Sequence, residues 1–185
     1  MRGGNDLPGV GPIFLTGFMA TGKSKVGRML ASRLQRTFVD TDDMIVACAG
    51  KAIPEIFAED GENRFRELEA TCVLEASQCT GIVVALGGGA VTIPANRRII
   101  RDAGGVLVCL EAGVDTILER VSRKNTRPLM DGLNEEQKRE KITAMLQERA
   151  PYYATADFTL QSSEEHSPER LVDELVDYLA NESSR

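Results

Sequence analysis

The chain has 185 residues, 42% of them hydrophobic and 27% charged, which suits one globular domain with a sizeable core. Its formal net charge is −6 and no Lys/Arg-rich run interleaves with aromatics, which argues against a general nucleic-acid binder. No apolar stretch approaches the roughly 18 residues that a membrane-spanning helix needs. The four cysteines (Cys48, Cys72, Cys79 and Cys109) form no C-x-x-C pair, and His166 is the single histidine, so a zinc site is not expected. Free thiols of this kind fit a reducing, cytosolic setting. Residues 1–11 lack an apolar run and read as a flexible arm rather than a signal peptide.

Pro12–Thr16 is a short apolar run suited to a buried strand. It leads into Gly17-Phe18-Met19-Ala20-Thr21-Gly22-Lys23-Ser24, the P-loop pattern G-x-x-x-x-G-K-S. Val26, Met29, Leu30 and Leu34 then mark one face of a helix over 23–34. A glycine-rich turn between strand and helix lets backbone N–H groups converge on a phosphate at the positive end of the helix dipole. Lys23 is placed to reach the β/γ-phosphates and Ser24 to ligate Mg²⁺.

Thr37–Asp40 reads as a second strand, ending in the acidic cluster Asp40-Thr41-Asp42-Asp43. In open α/β sheets ligands bind outside the carboxyl ends of strands. One carboxylate near the metal and one near a substrate hydroxyl is the functional reading; a cap by Asp42 on a helix over Met44–Ala49 is the plain one. A short helix with Pro54 in its first turn precedes Gly61, and a longer one follows over about Glu62 to Gln78. On it Arg66 and Glu69 are i,i+3 partners: a surface pair of little worth, or an arginine held by Glu69 and aimed at an anion.

Gly81–Leu86 is the most strand-like run, and it ends in Gly87-Gly88-Gly89, where a ligand could approach the backbone closely. Arg97, Arg98 and Arg101, on a helix from Pro94 to Asp102, read as a solvated face. A fourth strand spans 105–110 and a helix 113–123. The basic segment from Arg123 to Gly132, punctuated by Pro128, suits a mobile lid closing over phosphates, with Arg127 as its working residue. A charged helix over 135–150 stops at Pro151; a last strand, Asp157–Leu160, and a helix from Ser167 complete the chain. Strands alternate with helices throughout, so the sheet is expected to be parallel and covered on both faces.

The ordered set Gly17…Lys23-Ser24, Val39-Asp40-Thr41-Asp42, Phe65-Arg66-x-x-Glu69, Gly87-Gly88-Gly89-Ala90-Val91, Arg127-Pro128-Leu129 and Arg149-x-Pro151-x-Tyr153 resembles the shikimate kinases over about residues 12–180. The resemblance implies an α/β P-loop NTPase fold of the nucleoside-monophosphate-kinase-like type: a three-layer sandwich around a five-stranded parallel sheet. Residues 12–182 would form a single kinase domain, with a substrate-binding segment at about 42–70 and a lid at about 120–135. It implies transfer of the γ-phosphate of ATP to the 3-hydroxyl of shikimate, on the way to chorismate and the aromatic amino acids, by a cytoplasmic monomer that needs Mg²⁺ and has neither nucleic-acid nor membrane partners. Gly17, Ala20, Thr21, Gly22, Lys23, Ser24 and Lys25 would hold the nucleotide. Arg120 would stack on adenine and Arg127 would neutralise phosphate charge from the lid. Ser24 and Asp40 would hold the metal. Asp42 would bind the substrate hydroxyls and take the proton of the attacking one. Arg66 and Arg149 would clamp the carboxylate, and Gly87, Gly88 and Gly89 would contact substrate by backbone.

The chain departs from the family pattern at Lys25, where Thr is usual, at Ala20, often Gly, and around His166-Ser167, near the adenine. An alanine at position 20 would be strained if the loop demands positive φ there. Two rival readings stand beside the resemblance. One is a kinase for another small hydroxy acid such as gluconate; the other is a P-loop module kept for binding or regulation without turnover.

Overall fold

The computed structural model describes residues 11–123, 130 and 132–182. Five strands lie in one parallel sheet: β1 (Ile13–Thr16), β2 (Thr37–Asp40), β3 (Ile82–Ala85), β4 (Val106–Glu111) and β5 (Phe158–Gln161). Their order is β2-β3-β1-β4-β5. The helices are α1 (Lys23–Leu34), α2 (Thr41–Ala49), α3 (Ile53–Glu55), α4 (Gly61–Ser77), α5 (Pro94–Asp102), α6 (Val114–Ser122), α7 (Glu135–Tyr153) and α8 (Pro168–Glu182).

Alternation along the strands sorts the core into two layers. Ile13 and Leu15 of β1, Val83 of β3, and Val108 and Leu110 of β4 face α1 and α8, packing on Val26, Leu30, Leu34, Leu171, Leu175 and Leu179. The intervening Phe14, Val84, Leu107 and Cys109 face the opposite layer, with Val73 of α4, Ile100 of α5, Ile117 of α6 and Ile142 of α7. Every residue of β1 and β3 is buried, which explains why these strands read as continuous apolar runs. A third, smaller cluster of Ile45, Ile56, Phe65, Leu68 and Cys72 fastens α2 to α4 beside the sheet. The carboxyl ends of β1, β2 and β3, adjacent in the order, therefore open onto one edge.

Three boundaries differ from expectation. Helix α2 begins at Thr41, not Met44, because Asp40 is its N-cap: Asp40 Oδ1 accepts from the Asp42 N–H at 3.1 Å. The expected helix over 52–61 is one turn, α3, followed by a π-helical turn over Ile56–Asp60, which ends at Gly61 with φ 82°. Helix α7 runs through Pro151 to Tyr153. Proline removes one N–H, but in the last turn that is a single lost bond, and the Ala154 N–H still closes on the Ala150 carbonyl.

Candidate active site

The P-loop follows β1 directly. Gly17 (φ 131°) and Gly22 (φ 98°) adopt positive φ, and so does Ala20 (φ 62°). At Gly17 a side chain would also strike the Leu110 carbonyl of β4, whereas Gly22 has open space and needs glycine for its dihedral alone. The buried Thr21 hydroxyl donates to the Phe18 carbonyl at 2.9 Å and pins the loop from inside. Lys23 Nζ folds back across the loop, donating to the Gly17 carbonyl at 2.8 Å and to the Phe18 carbonyl at 2.9 Å. The Ser24 hydroxyl donates to Asp40 Oδ2 at 2.6 Å. An alcohol and a carboxylate in direct contact are hard oxygen donors, the kind Mg²⁺ takes together with substrate phosphates and water.

Beside this loop, the triple glycine at the end of β3 gathers the other predicted groups. A Cβ on Gly87 would sit 3.1 Å from Asp42 Oδ1 and 3.0 Å from Glu69 Oε1. One on Gly88 would sit 3.4 Å from both Arg149 Nη1 and the Gly17 carbonyl, and one on Gly89 would sit 3.1 Å from Arg66 Nη1. Asp42, Arg66, Arg149 and the P-loop thus converge on one backbone turn that has no side chains of its own. Arg66 Nη1 donates to Glu69 Oε2 at 2.8 Å and Nη2 to Glu62 Oε1 at 3.1 Å. Glu69 is 1% exposed, and burial pushes its carboxyl above the usual range even beside Arg66, with Asp42 adding to the push. The Arg149 guanidinium lies 5.6 Å from the Phe18 ring centroid, so the P-loop braces it.

Arg120 Nη1 donates to the Ala20 carbonyl at 3.2 Å and to Ser162 Oγ at 2.9 Å, joining α6 to the P-loop and to the segment after β5. Lys25 is exposed on the first turn of α1, near enough to Glu169 to favour its charged form. Arg127 lies outside the described residues, as does most of the expected lid between 124 and 131. A cavity of about 280 Å³ opens between the P-loop, β4 and α7, walled by Phe18, Thr21, Leu110, Leu146, Ala150 and Tyr153.

Three residues to which the sequence reading gave no role at the site contribute to it. The buried Thr41 hydroxyl accepts from the Gly87 N–H at 2.9 Å and donates to the Ala85 carbonyl at 3.3 Å, tying α2 to the glycine turn. Arg97 is not part of a solvated face: it is half-buried, donates to the Val91 carbonyl and lies 5.1 Å from the Tyr152 ring centroid. The Tyr153 hydroxyl donates to the Gly88 carbonyl at 2.7 Å.

A P-loop and, beside it, two arginines over a glycine turn on one sheet edge fit a kinase acting on a small acid. Known proteins narrow this class. Residues 19–180 match the family model described as shikimate kinase. The shikimate kinase of Salinibacter ruber is 46% identical over 170 residues, covering 89% of this chain and 80% of its own. A shikimate kinase from Bacteroides thetaiotaomicron superposes with a TM-score of 0.85 at 30% identity, over 91% of this chain and 97% of that one. One from Acinetobacter baumannii, solved in complex with shikimate, gives 0.84 at 34% identity, over 94% and 95%. The chain belongs to the shikimate kinase family, and its activity is the ATP-dependent phosphorylation of shikimate.

Proposed function

We propose that this chain transfers the γ-phosphoryl group of Mg-ATP to the 3-hydroxyl of shikimate with the residues gathered at the glycine turn. The observation that carries the assignment is the placement of Arg66, Arg149 and Asp42 around Gly87–Gly89, one backbone contact from Gly17 of the P-loop. Two guanidinium groups offer a carboxylate a fork of charged donors, which positions the acid end of the substrate. Asp42 binds the ring hydroxyls at the other end and accepts the proton of the attacking one. Lys23 leaves the Gly17 and Phe18 carbonyls for the phosphates and balances the charge of the transferring group. Ser24 and Asp40 would hold the metal, which when bound would supply charge neutralisation of the phosphates. Arg127 adds positive charge from the lid and Arg120 supports the adenine side. Phosphoryl transfer needs alignment and charge balance more than covalent help, and these groups supply both.

The reading extends to a monomeric cytoplasmic enzyme of aromatic amino acid biosynthesis, with residues 12–182 as one kinase domain. No helix among the described residues is long and apolar enough to cross a membrane. ADP release measured with shikimate, quinate and gluconate as acceptors, against a no-acceptor control, tests the substrate. Strong turnover is expected on shikimate alone. Turnover on gluconate alone would overturn the roles of Arg66 and Arg149.

A further inference from the structure

Tyr153 is the last residue of α7 and is 4% exposed, its ring packed among Phe18, Leu86, Val91 and Ile142. Its hydroxyl donates to the Gly88 carbonyl at 2.7 Å. The Gly88 backbone in turn lies against both the Arg149 guanidinium and the Gly17 carbonyl: a Cβ there would sit 3.4 Å from each. Arg149, one helical turn before Tyr153 on α7, also lies 5.6 Å from the Phe18 ring centroid. The phenol oxygen therefore holds the one turn residue that faces Arg149. Without the hydroxyl, Gly88 would lose the bond that fixes its peptide plane and, with it, its placement against Arg149.

We propose that Tyr153 is a positioning residue for the acid substrate: its hydroxyl holds Gly88 against Arg149 and keeps the clamp and the turn in one register. The proposal rests on the reading of Arg149 as a carboxylate ligand. It predicts an effect confined to one substrate, because the phenol touches the acid's cradle and reaches the nucleotide's cradle only through Phe18 and Gly17.

The test uses Tyr153→Phe, which keeps the ring and removes the hydroxyl. The expected result is a KM for shikimate raised about five- to tenfold, the scale of one ordinary intramolecular hydrogen bond. The KM for ATP should stay within about twofold and kcat within about threefold. A purely structural tyrosine would instead lower Tm and the active fraction and leave the shikimate KM alone; that pattern overturns the proposal. Arg149→Ala separates the proposal from its premise. If it leaves the shikimate KM unchanged, the clamp reading fails and this one with it. If it raises KM steeply while Tyr153→Phe does nothing, only the role of Tyr153 fails. A measurement on the wild-type enzyme serves if Tyr153→Phe folds poorly. The chain has no tryptophan and three tyrosines, Tyr152, Tyr153 and Tyr178. With ¹³C-labelled tyrosine rings, assigned through Tyr152→Phe and Tyr178→Phe, shikimate should shift the Tyr153 signal; an unmoved signal at saturating shikimate overturns the proposal.

Discussion

Ala20 sits in the P-loop at φ 62°, a left-handed conformation that glycine adopts freely and alanine does not. The steric cost for an L-residue is roughly 1–2 kcal/mol. Glycine would remove it but would add about 0.4–1 kcal/mol of unfolded-chain entropy. The first effect is the larger, so Ala20→Gly should stabilise the protein by about 0.5–1 kcal/mol and raise Tm by roughly 1–4 °C. A fall in Tm on thermal unfolding would show that the alanine contributes packing that outweighs its strain. Arg66 gives a second residue-scale prediction. Its removal leaves Glu69 buried without its 2.8 Å cationic partner, and breaking such a pair from one side costs about 2–3 kcal/mol here, where Arg66 is partly exposed. The loss belongs to the charged carboxylate, so it should be full at neutral pH and shrink as pH falls toward the ordinary carboxylate range near 4.5. Arg66→Ala with Glu69→Gln should restore stability at pH 7 without restoring turnover on shikimate. Recovery of activity in the double variant would mean that Arg66 acts on Glu69 and not on the substrate.

At the scale of elements, α2 must be held against the end of β3 for Asp42 to face Gly87. Thr41 does this with one hydroxyl bonded to both Gly87 and Ala85. Thr41→Val keeps the shape but leaves the buried Gly87 N–H unpaired, which costs about 1–3 kcal/mol. The same substitution should raise the KM for shikimate more than that for ATP; equal effects on both would place the tie in general stability alone. The elements themselves were largely legible. Buried two-sided strands read as apolar runs, and the Gly17–Ser24 motif fixed where β1 gives way to α1. Asp40, Asp42 and the glycine turn stood at strand ends, where ligands bind. The roles proposed for Arg66 and Arg149 needed the family resemblance, because an arginine on a polar helix face looks the same whether it meets solvent or substrate. What stayed hidden shares one physical cause. Thr41, Arg97 and Tyr153 bond to backbone groups, Arg97 to Val91 six positions back and Thr41 and Tyr153 to residues 46 and 65 positions away. A backbone carbonyl is present at every position, so such a partner leaves no mark in composition or spacing. The start of α2 was displaced for a related reason: Asp40 serves both as helix cap and as partner of Ser24, and the sequence reading placed it only at the metal.

For the molecule as a whole, the layer of α4–α7 and the small cluster beside the sheet enclose ionisable groups in their neutral forms. Burial pushes the Cys109 thiol from 9.0 up to about 12 and the Tyr153 phenol from 10.0 up to about 12. The free Cys72 thiol of α4, packed in the cluster that fastens α2 to α4, is also pushed up to about 12, chiefly by burial. In the unfolded chain these groups release their protons near pH 9 for the thiols and near pH 10 for the phenol, whereas the folded state retains them until about pH 12. Over that window the unfolded chain binds fewer protons than the native one, so stability falls as pH rises. Their stabilising effect is complete below about pH 9 and is lost progressively toward pH 12. Tyr153 alone should account for about 2–3 kcal/mol of the loss by pH 12, since one pH unit corresponds to about 1.4 kcal/mol. Urea unfolding at pH 8, 10 and 11 measures the slope directly. Tyr153→Phe should start from a lower stability at pH 8, because the Gly88 carbonyl loses its donor, yet decline less steeply above pH 10. Parallel slopes for the two proteins would mean that the phenol ionises in the folded state as readily as in the unfolded one, and that the bond to Gly88 does not hold its proton.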